Sequence, residues 1–262
     1  MIRSLYTAAS GMKANQSFVD NISNNLSNVN TVGFKKSQIQ FEDLMYQTMQ
    51  EPGTENGDGT KAPSGVQIGL GTRVVATNKM FVQGNLTQTG NPLDLAVQGD
   101  GFFQIRQANG ETAYTRAGDF NLSADGYLCT AQGNLVEPGI VVPEGSQDMY
   151  ISGDGRVMAT TTAGQLPEEL GQIELARFIN PAGLRSQGGN LYVQTEASGE
   201  PVVGTPGLDG FGELKNQFLE SSNVQMVEEM VAMIIAQRAY EVSSKAITTS
   251  DDMLQIASGL KR

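Results

Sequence analysis

The chain contains no histidine, and its single cysteine is Cys129. Without His there is no Ser-His-Asp or Cys-His nucleophile pair, no HExxH zinc site and no imidazole acid or base, which removes the commonest general catalyst. One Cys makes neither an internal disulfide nor a CxxC metal knuckle. Carboxylates remain. Asp94, Asp100, Asp119 and Asp125 are candidates for the two-carboxylate pair of a glycoside hydrolase, but their spacing does not separate a catalytic pair from turn residues. Asp119, Asn121, Ser123 and Asp125 alternate like calcium-loop ligands, yet Ala124 stands where that loop needs Gly and Thr130 where it needs Glu. A hairpin turning at Asp125-Gly126 is the simpler account. Gly69-Leu70-Gly71 and Gly99-Asp100-Gly101 lack the third Gly of a dinucleotide fingerprint, and no phosphate loop occurs. The residues support no enzyme, no cofactor and no metal site.

The polar chemistry that stands out is carboxamide chemistry. Asn21, Asn24, Asn25 and Asn28 fall at i, i+3, i+4 and i+7, one face of a helix, although Asn costs about 0.6 kcal/mol relative to Ala at an interior helical position. Carboxamides both donate and accept, so such a ladder can bridge neighbouring helices or backbone without charge. For Asn28 and Asn30 an equal reading is a helix end running into the Asn30-Thr31-Val32-Gly33 turn.

The elements that must carry these residues follow from two distributions. All nine prolines lie between Pro52 and Pro206, and 28 of the 31 glycines lie in residues 51–213. Gly at about 17 % of that region, against an average near 7 %, implies short strands and tight turns. The ends are free to be long helices. At the N-terminal end Leu5, Met12, Val19 and Leu26 recur every seven residues, with Ala8, Asn15, Ile22 and Val29 three places on, the 3-4 spacing of a coiled-coil seam. At the other end Met226, Met233, Tyr240, Ile247 and Leu254 form a second series, followed three places on by Glu229, Ala236, Ser243, Ser250 and Ala257. Those mostly small residues let another helix approach closely. Val227, Met230, Val231 and Ile234 widen the stripe, so this helix wants more than one neighbour. Asn223 is a candidate N-cap, Glu228 and Glu229 suit the positive end of the helix dipole, Lys261 and Arg262 its negative end, and Gly259 its termination.

The middle reads as β-rich. Residues 93–97, 102–105, 139–142 and 190–193 have strand-like composition, punctuated by Gly99-Asp100-Gly101, Asn109-Gly110, Asp125-Gly126 and Asp154-Gly155. Residues 51–71 are Gly- and Pro-rich and poor in apolar residues until Val66. In a monomer they would be a linker; in an assembly they could be an arm ordered against a neighbour. Net charge of −11 argues against a nucleic-acid grip. The longest apolar stretch, 230–236, is too short to span a bilayer, and no apolar signal-peptide core follows Arg3. The expectation is a cytoplasmic protein or one exported without a cleaved signal, with no membrane insertion.

Three stretches resemble the bacterial flagellar basal-body rod and hook family. They are Asn24-Asn25-Leu26-Ser27-Asn28-Val29-Asn30-Thr31-Val32-Gly33-Phe34-Lys35 near the start, Gly99-Asp100-Gly101-Phe102-Phe103 with Tyr114-Thr115-Arg116-Ala117-Gly118-Asp119-Phe120 in the middle, and Glu228-Glu229-Met230-Val231 through Gln237-Arg238-Ala239-Tyr240-Glu241 and Ser244-Lys245-Ala246 at the end. Pro63-Ser64-Gly65-Val66-Gln67-Ile68-Gly69-Leu70-Gly71 resembles a segment of the distal-rod branch. Ser27 stands where Ala is common and Cys129 where an aliphatic residue is usual. The resemblance implies a structural subunit of a hollow, rigid helical drive shaft that transmits motor torque to the hook. A proximal rod or hook subunit is the alternative; a secreted β-domain binding protein or a carboxylate hydrolase would leave the paired heptads unexplained.

The implied fold is α+β. Terminal helices pairing as a coiled-coil-like inner-tube region, with the adjoining connector, take residues 1–45 and 214–262; an extended arm takes 46–75; a β-rich outer domain takes 76–213. Leu5, Met12, Val19, Leu26, Met233, Tyr240, Ile247 and Leu254 are the expected apolar subunit contacts and Asn21, Asn24, Asn25 and Asn28 the polar ones. The arm is represented by Pro52, Pro63, Gly65, Gln67, Ile68 and Gly69. The implied partners are further copies of the chain, proximal rod proteins, the hook or hook-rod junction, the P and L bushing rings, the rod cap and the type III export apparatus. The implied location is the periplasm-spanning rod of the basal body.

Overall fold

The two Pro-free ends form long helices. In the computed structural model, which describes residues 2–53, 63–143, 145–146, 148–160 and 167–259, α1 spans Ile2–Ser27 and α2 spans Met226–Gly259. The middle is built from short strands, so the fold class is α+β. The chain forms two units: Met1–Ser27, Ser37–Asn78 and Gln225–Arg262 in one, Asn28–Lys36 and Lys79–Val224 in the other.

In the first unit α1 packs against α2. Glu228 and Glu229 occupy the first turn of α2, where the unpaired N–H groups favour negative charge. Asn223 does not cap this helix. Its Oδ1 accepts from the Lys36 amide at 2.7 Å and its Nδ2 donates to the Met80 and Val82 carbonyls, so it is spent on backbone of the second unit. Gly259 is the last described helical residue, and Lys261 and Arg262 lie outside the described residues.

The strand Tyr46–Gln50 pairs antiparallel with Val66–Gly69, and Ser37–Asp43 pairs with Thr72–Lys79. The C-terminal part of the Gly- and Pro-rich stretch is therefore one side of a two-stranded ribbon; residues 54–62 lie outside the described residues. Gly71, at φ +121°, passes beside α1, where an added Cβ would collide with the Ser10 hydroxyl.

The second unit holds the core. A nine-stranded antiparallel sheet runs Arg185–Gly188, Leu191–Val193, Thr112–Thr115, Phe102–Arg106, Leu135–Val136, Leu128–Cys129 and Asn121–Leu122, with Leu175–Arg177 and Val202–Gly204 branching from Phe102–Arg106. Asp148–Ile151, Arg156–Thr160 and Glu168–Gln172 make a three-stranded sheet. Leu95–Gln98 pairs with Glu213–Asn216 and Leu86–Gln88 with Phe218–Glu220. One apolar cluster, including Leu95, Phe103, Ile105, Phe120, Ile151 and Leu175, fills the interior. Removing that area from water is the main stabilising contribution.

The expected hairpin at Asp125-Gly126 is present: Asn121–Leu122 pairs with Leu128–Cys129, and Gly126 takes φ +80°. Two expected strands are shorter than composition suggested. Asn190 takes φ +60° at the turn before Leu191–Val193, and residues 139–142 contribute one bridge, Val141 with Tyr127, rather than a strand. Asn28 and Gly33 form the turn after α1: the Thr31 amide donates to the Asn28 carbonyl, and Gly33 takes φ +67° with its would-be Cβ 2.5 Å from the Ala117 nitrogen.

Candidate functional site

The seam between α1 and α2 is made by small and branched residues. Ile22, 1 % exposed, and Ala14 are the buried apolar side chains of α1; Ala236, with Glu229 and Ser250, are the buried residues of α2. All but Ala14 belong to the second heptad positions, Ile22 on α1 and Glu229, Ala236 and Ser250 on α2. Small residues there permit close approach: a Cβ on Gly11 would sit 3.6 Å from Ser243 Oγ, and Ser4 Oγ lies 3.3 Å from Ser250 Oγ.

The heptad residues expected as apolar subunit contacts lie beside this seam. Leu5, Met12, Val19 and Leu26 of α1 and Met233, Ile247 and Leu254 of α2 are half-buried, and Tyr240 is exposed. Val19 and Tyr240, with Gln16, Gln237 and Glu241, line an open cleft of about 400 Å³ between the helices. Beyond it, α2 leaves a broad apolar face in water: Val227 is 75 % exposed and Ile235 60 %, with Met230, Val231, Ile234, Val242 and Ile256 also exposed. Ile235, Val242 and Ile256 were not among the expected contacts, because the heptad template follows one seam and they lie off it.

The asparagine ladder divides. Asn25, 1 % exposed, clamps Ser37 with both halves of its amide: Nδ2 donates to the Ser37 carbonyl and Oδ1 accepts from the Ser37 amide, each at 2.9 Å. The same Nδ2 lies 3.2 Å from Glu229 Oε2 on α2, and Asn21 Nδ2 donates to the Ser37 carbonyl at 2.8 Å. Asn21 and Asn25 thus bridge backbone and neighbouring helix within their own chain. Asn24 is exposed, and the half-buried Asn28 accepts from Thr31 Oγ1 at 3.1 Å.

The ribbon presents a second apolar surface. Gln47 pairs with Ile68, a bulge at Met49 interrupts the register between Thr48 and Gln50, and Met45 and Leu70 flank the paired strands. Met45 is 82 % exposed, and Met49, Ile68 and Leu70 are exposed as well. The expected arm residues Pro52, Gly65, Gln67, Ile68 and Gly69 lie on or next to this ribbon, and Pro63 opens its return side. Met45 and Met49 were missed; the alternation Met45-Gln47-Met49 was the available signal.

A different chemistry occurs in the second unit. Lys35 and Glu220, both with fully buried side chains, form an ion pair at 2.5 Å, and Arg116 Nε lies 3.5 Å from the other Glu220 oxygen. Arg116 also donates to the Gly101 and Gly99 carbonyls at 2.7 and 2.8 Å. Burial lowers the Lys35 pKa, with the Glu220 charge opposing. Burial, reinforced by Glu220, pushes the nearby Tyr192 phenol up to about 12. Lys35 and Arg116 stand in stretches that carry the family resemblance, but no motif announced their pairing with Glu220, since the three lie far apart in the chain.

The carboxylates behave as turn residues. Asp94 accepts from Thr89 Oγ1 at 2.5 Å and Asn91 Nδ2 at 2.9 Å, and its backbone bridges Asp119. Burial raises the Asp119 pKa, with the Asp94 charge contributing. Among the described residues no helix is long and apolar enough to cross a membrane. The arrangement is suited to association through exposed apolar faces.

Comparison with known proteins gives three family matches: the flagella basal body rod protein model over residues 5–35, the flagellar hook protein FlgE/F/G D1 domain over 96–159, and the flagellar basal body rod FlgEFG protein C-terminal model over 215–260. The chain is similar over its whole length to flagellar basal-body rod protein FlgG of Borreliella burgdorferi, 50 % identical with all of both chains covered. It is 48 % identical to FlgG of Buchnera aphidicola subsp. Schizaphis graminum and 46 % identical to FlgG of Caulobacter vibrioides, each over 99 % of this chain and all of the relative.

Proposed function

From the premise that this chain belongs to the flagellar basal-body rod protein family and is a subunit of the distal rod, we propose that its terminal helices form the inner layer of a hollow, rigid tube that carries motor torque to the hook. The observation that carries this reading is the apolar face left uncovered on α2 after α1 has packed against it. A helix with such a face lowers its free energy by finding a second neighbour. In a helical polymer each copy supplies that neighbour for the next.

Leu5, Met12, Val19, Leu26, Met233, Tyr240, Ile247 and Leu254 then flank a coiled-coil-like pair and make apolar contacts with adjoining subunits. Val227, Ile235 and Val242 extend that surface. Asn24 and Asn28 supply polar contacts, while Asn21 and Asn25 fix α1 to Ser37 and α2 within one subunit. A continuous close-packed layer resists shear, because sliding one subunit past another breaks packing along the shaft. The ribbon, with Pro52, Pro63, Gly65, Gln67, Ile68 and Gly69, braces a neighbouring copy through Met45, Met49, Ile68 and Leu70 and stiffens the tube.

The rod so formed runs from proximal rod proteins to the hook or hook-rod junction, across the periplasm and through the P and L bushing rings. Subunits arrive through the type III export apparatus and assemble beneath a rod cap. Helical reconstruction of the assembled protein tests this reading. Both termini should line a central channel with the β-rich unit outside; a polymer with its termini on the outer surface would refute it. Deleting residues 47–70 should leave tubes that form but bend more easily, and an equally straight tube would exclude the brace.

A further inference from the structure

We infer that Glu220 is a positioning residue that ties together, inside the second unit, segments through which the chain enters and leaves that unit. There are four such passages, at residues 27/28, 36/37, 78/79 and 224/225. Inside the second unit, the segments carrying them are tied to one another. Glu220 Oε1 accepts from Lys35 Nζ at 2.5 Å and from the Gly84 amide at 2.9 Å, and the Glu220 carbonyl accepts from the Gly33 amide at 2.8 Å. Lys35 Nζ donates in addition to the Val82 carbonyl at 2.9 Å, and Lys79 Nζ donates to the Lys35 carbonyl at 3.1 Å. The Met80 amide donates to the Lys36 carbonyl at 2.8 Å. Asn223 adds its bonds to Lys36, Met80 and Val82. Arg116, bound to the Gly99 and Gly101 carbonyls, anchors the cluster to the main sheet.

The physical case rests on direction. The hydrophobic attraction is non-directional, whereas a buried ion pair with backbone partners has one geometry, and pulling it apart leaves a charge in a low-dielectric interior. A buried pair is weak evidence for stability alone, because an apolar replacement of equal volume often serves as well. Its use here is orientation: one carboxylate sets several second-unit segments at once. On the distal-rod reading, load carried along the chain from one unit to the other passes through these tied segments.

Hydrogen exchange on the full chain, compared with Glu220→Gln and Asn223→Ala, tests this. In Glu220→Gln the Gly33, Lys36, Met80 and Gly84 amides should exchange roughly tenfold faster or more, while the paired strands Phe102–Arg106 and Thr112–Thr115 keep their rates. Asn223→Ala leaves no buried charge unpaired and should loosen Lys36 and Met80 without unfolding the sheet. A uniform acceleration in both variants, or a change confined to Gly84, overturns the inference. In cells, Asn223→Ala rods should form in normal number yet slip or break under high viscous load. Undiminished torque at high load overturns the inference as well, whereas failure of the unaltered chain to build rods would remove the distal-rod reading and leave the exchange result standing.

Discussion

The two units solve opposite problems with the same chain. In the second, Phe103, Ile105, Leu95 and their neighbours close around one another, and the interior is complete within a single copy. In the first, Ala14, Ile22 and Ala236 are the buried apolar side chains among the described residues, while twenty large apolar side chains are exposed, against nine in the second unit. A 26-residue and a 34-residue helix with so small a shared interior gain little from folding alone. One unit is a finished domain; the other, on the proposed function, is half of an interface.

The largest effects that would break this contrast lie in the second unit. Phe103→Ala should cost about 3–5 kcal/mol of stability in urea unfolding of the free monomer, as expected for an aromatic deletion in a closed core. Lys35→Met should cost a similar amount, about 3–5 kcal/mol, because Glu220 is left buried beside a partner 3.5 Å away. A loss below 1 kcal/mol for either would mean that the core is not closed in one copy.

A smaller effect is set by pH. The folded protein keeps the Tyr192 phenol protonated up to about 12, so the unfolded chain loses this proton first. Stability contributed by the neutral phenol is present below about pH 10 and is lost between there and about pH 12, on the order of 2 kcal/mol. Lys35 acts in the other direction: its lowered pKa makes the folded state shed its proton first, so stability rises with pH until the ordinary lysine range is passed. Above that range the Lys35 gain ends, and the Tyr114 phenol, also raised by burial, adds to the Tyr192 loss. Denaturant midpoints across this range, compared with Tyr192→Phe, check the sign; an unchanged midpoint above pH 10 would contradict it.

The smallest effect sharpens the contrast most. Val227→Ser and Ile235→Ser should change monomer stability by less than about 0.5 kcal/mol, since both side chains already face water. The same substitutions should raise the concentration needed for polymer growth, measured by sedimentation. Equal polymerisation would show that this face stays in water.

The elements were largely legible in the sequence. Absence of Pro and near-absence of Gly marked α1 and α2, and Asp125-Gly126 marked a hairpin, because these features are set by local backbone chemistry. The helix face was legible only in outline: two interleaved heptad series were present, and the choice between them depended on tertiary packing, which selected Ile22 and the small Ala236 and Ser250. Asn223 illustrates the limit. Its type and position suited a helix cap, but two carbonyls and an amide from distant segments claimed it first. The pairing of Lys35 and Arg116 with Glu220 was silent, because charged residues are ordinarily solvated and no periodicity brings three such distant positions together.

The central claim is that the first unit is completed only by other copies. Residue-resolved hydrogen exchange on dilute monomer and on polymer measures this directly. The account predicts weak protection of α1 and α2 in the monomer and strong protection in the polymer, with the second unit protected in both. Strong protection of both helices in dilute monomer would contradict it.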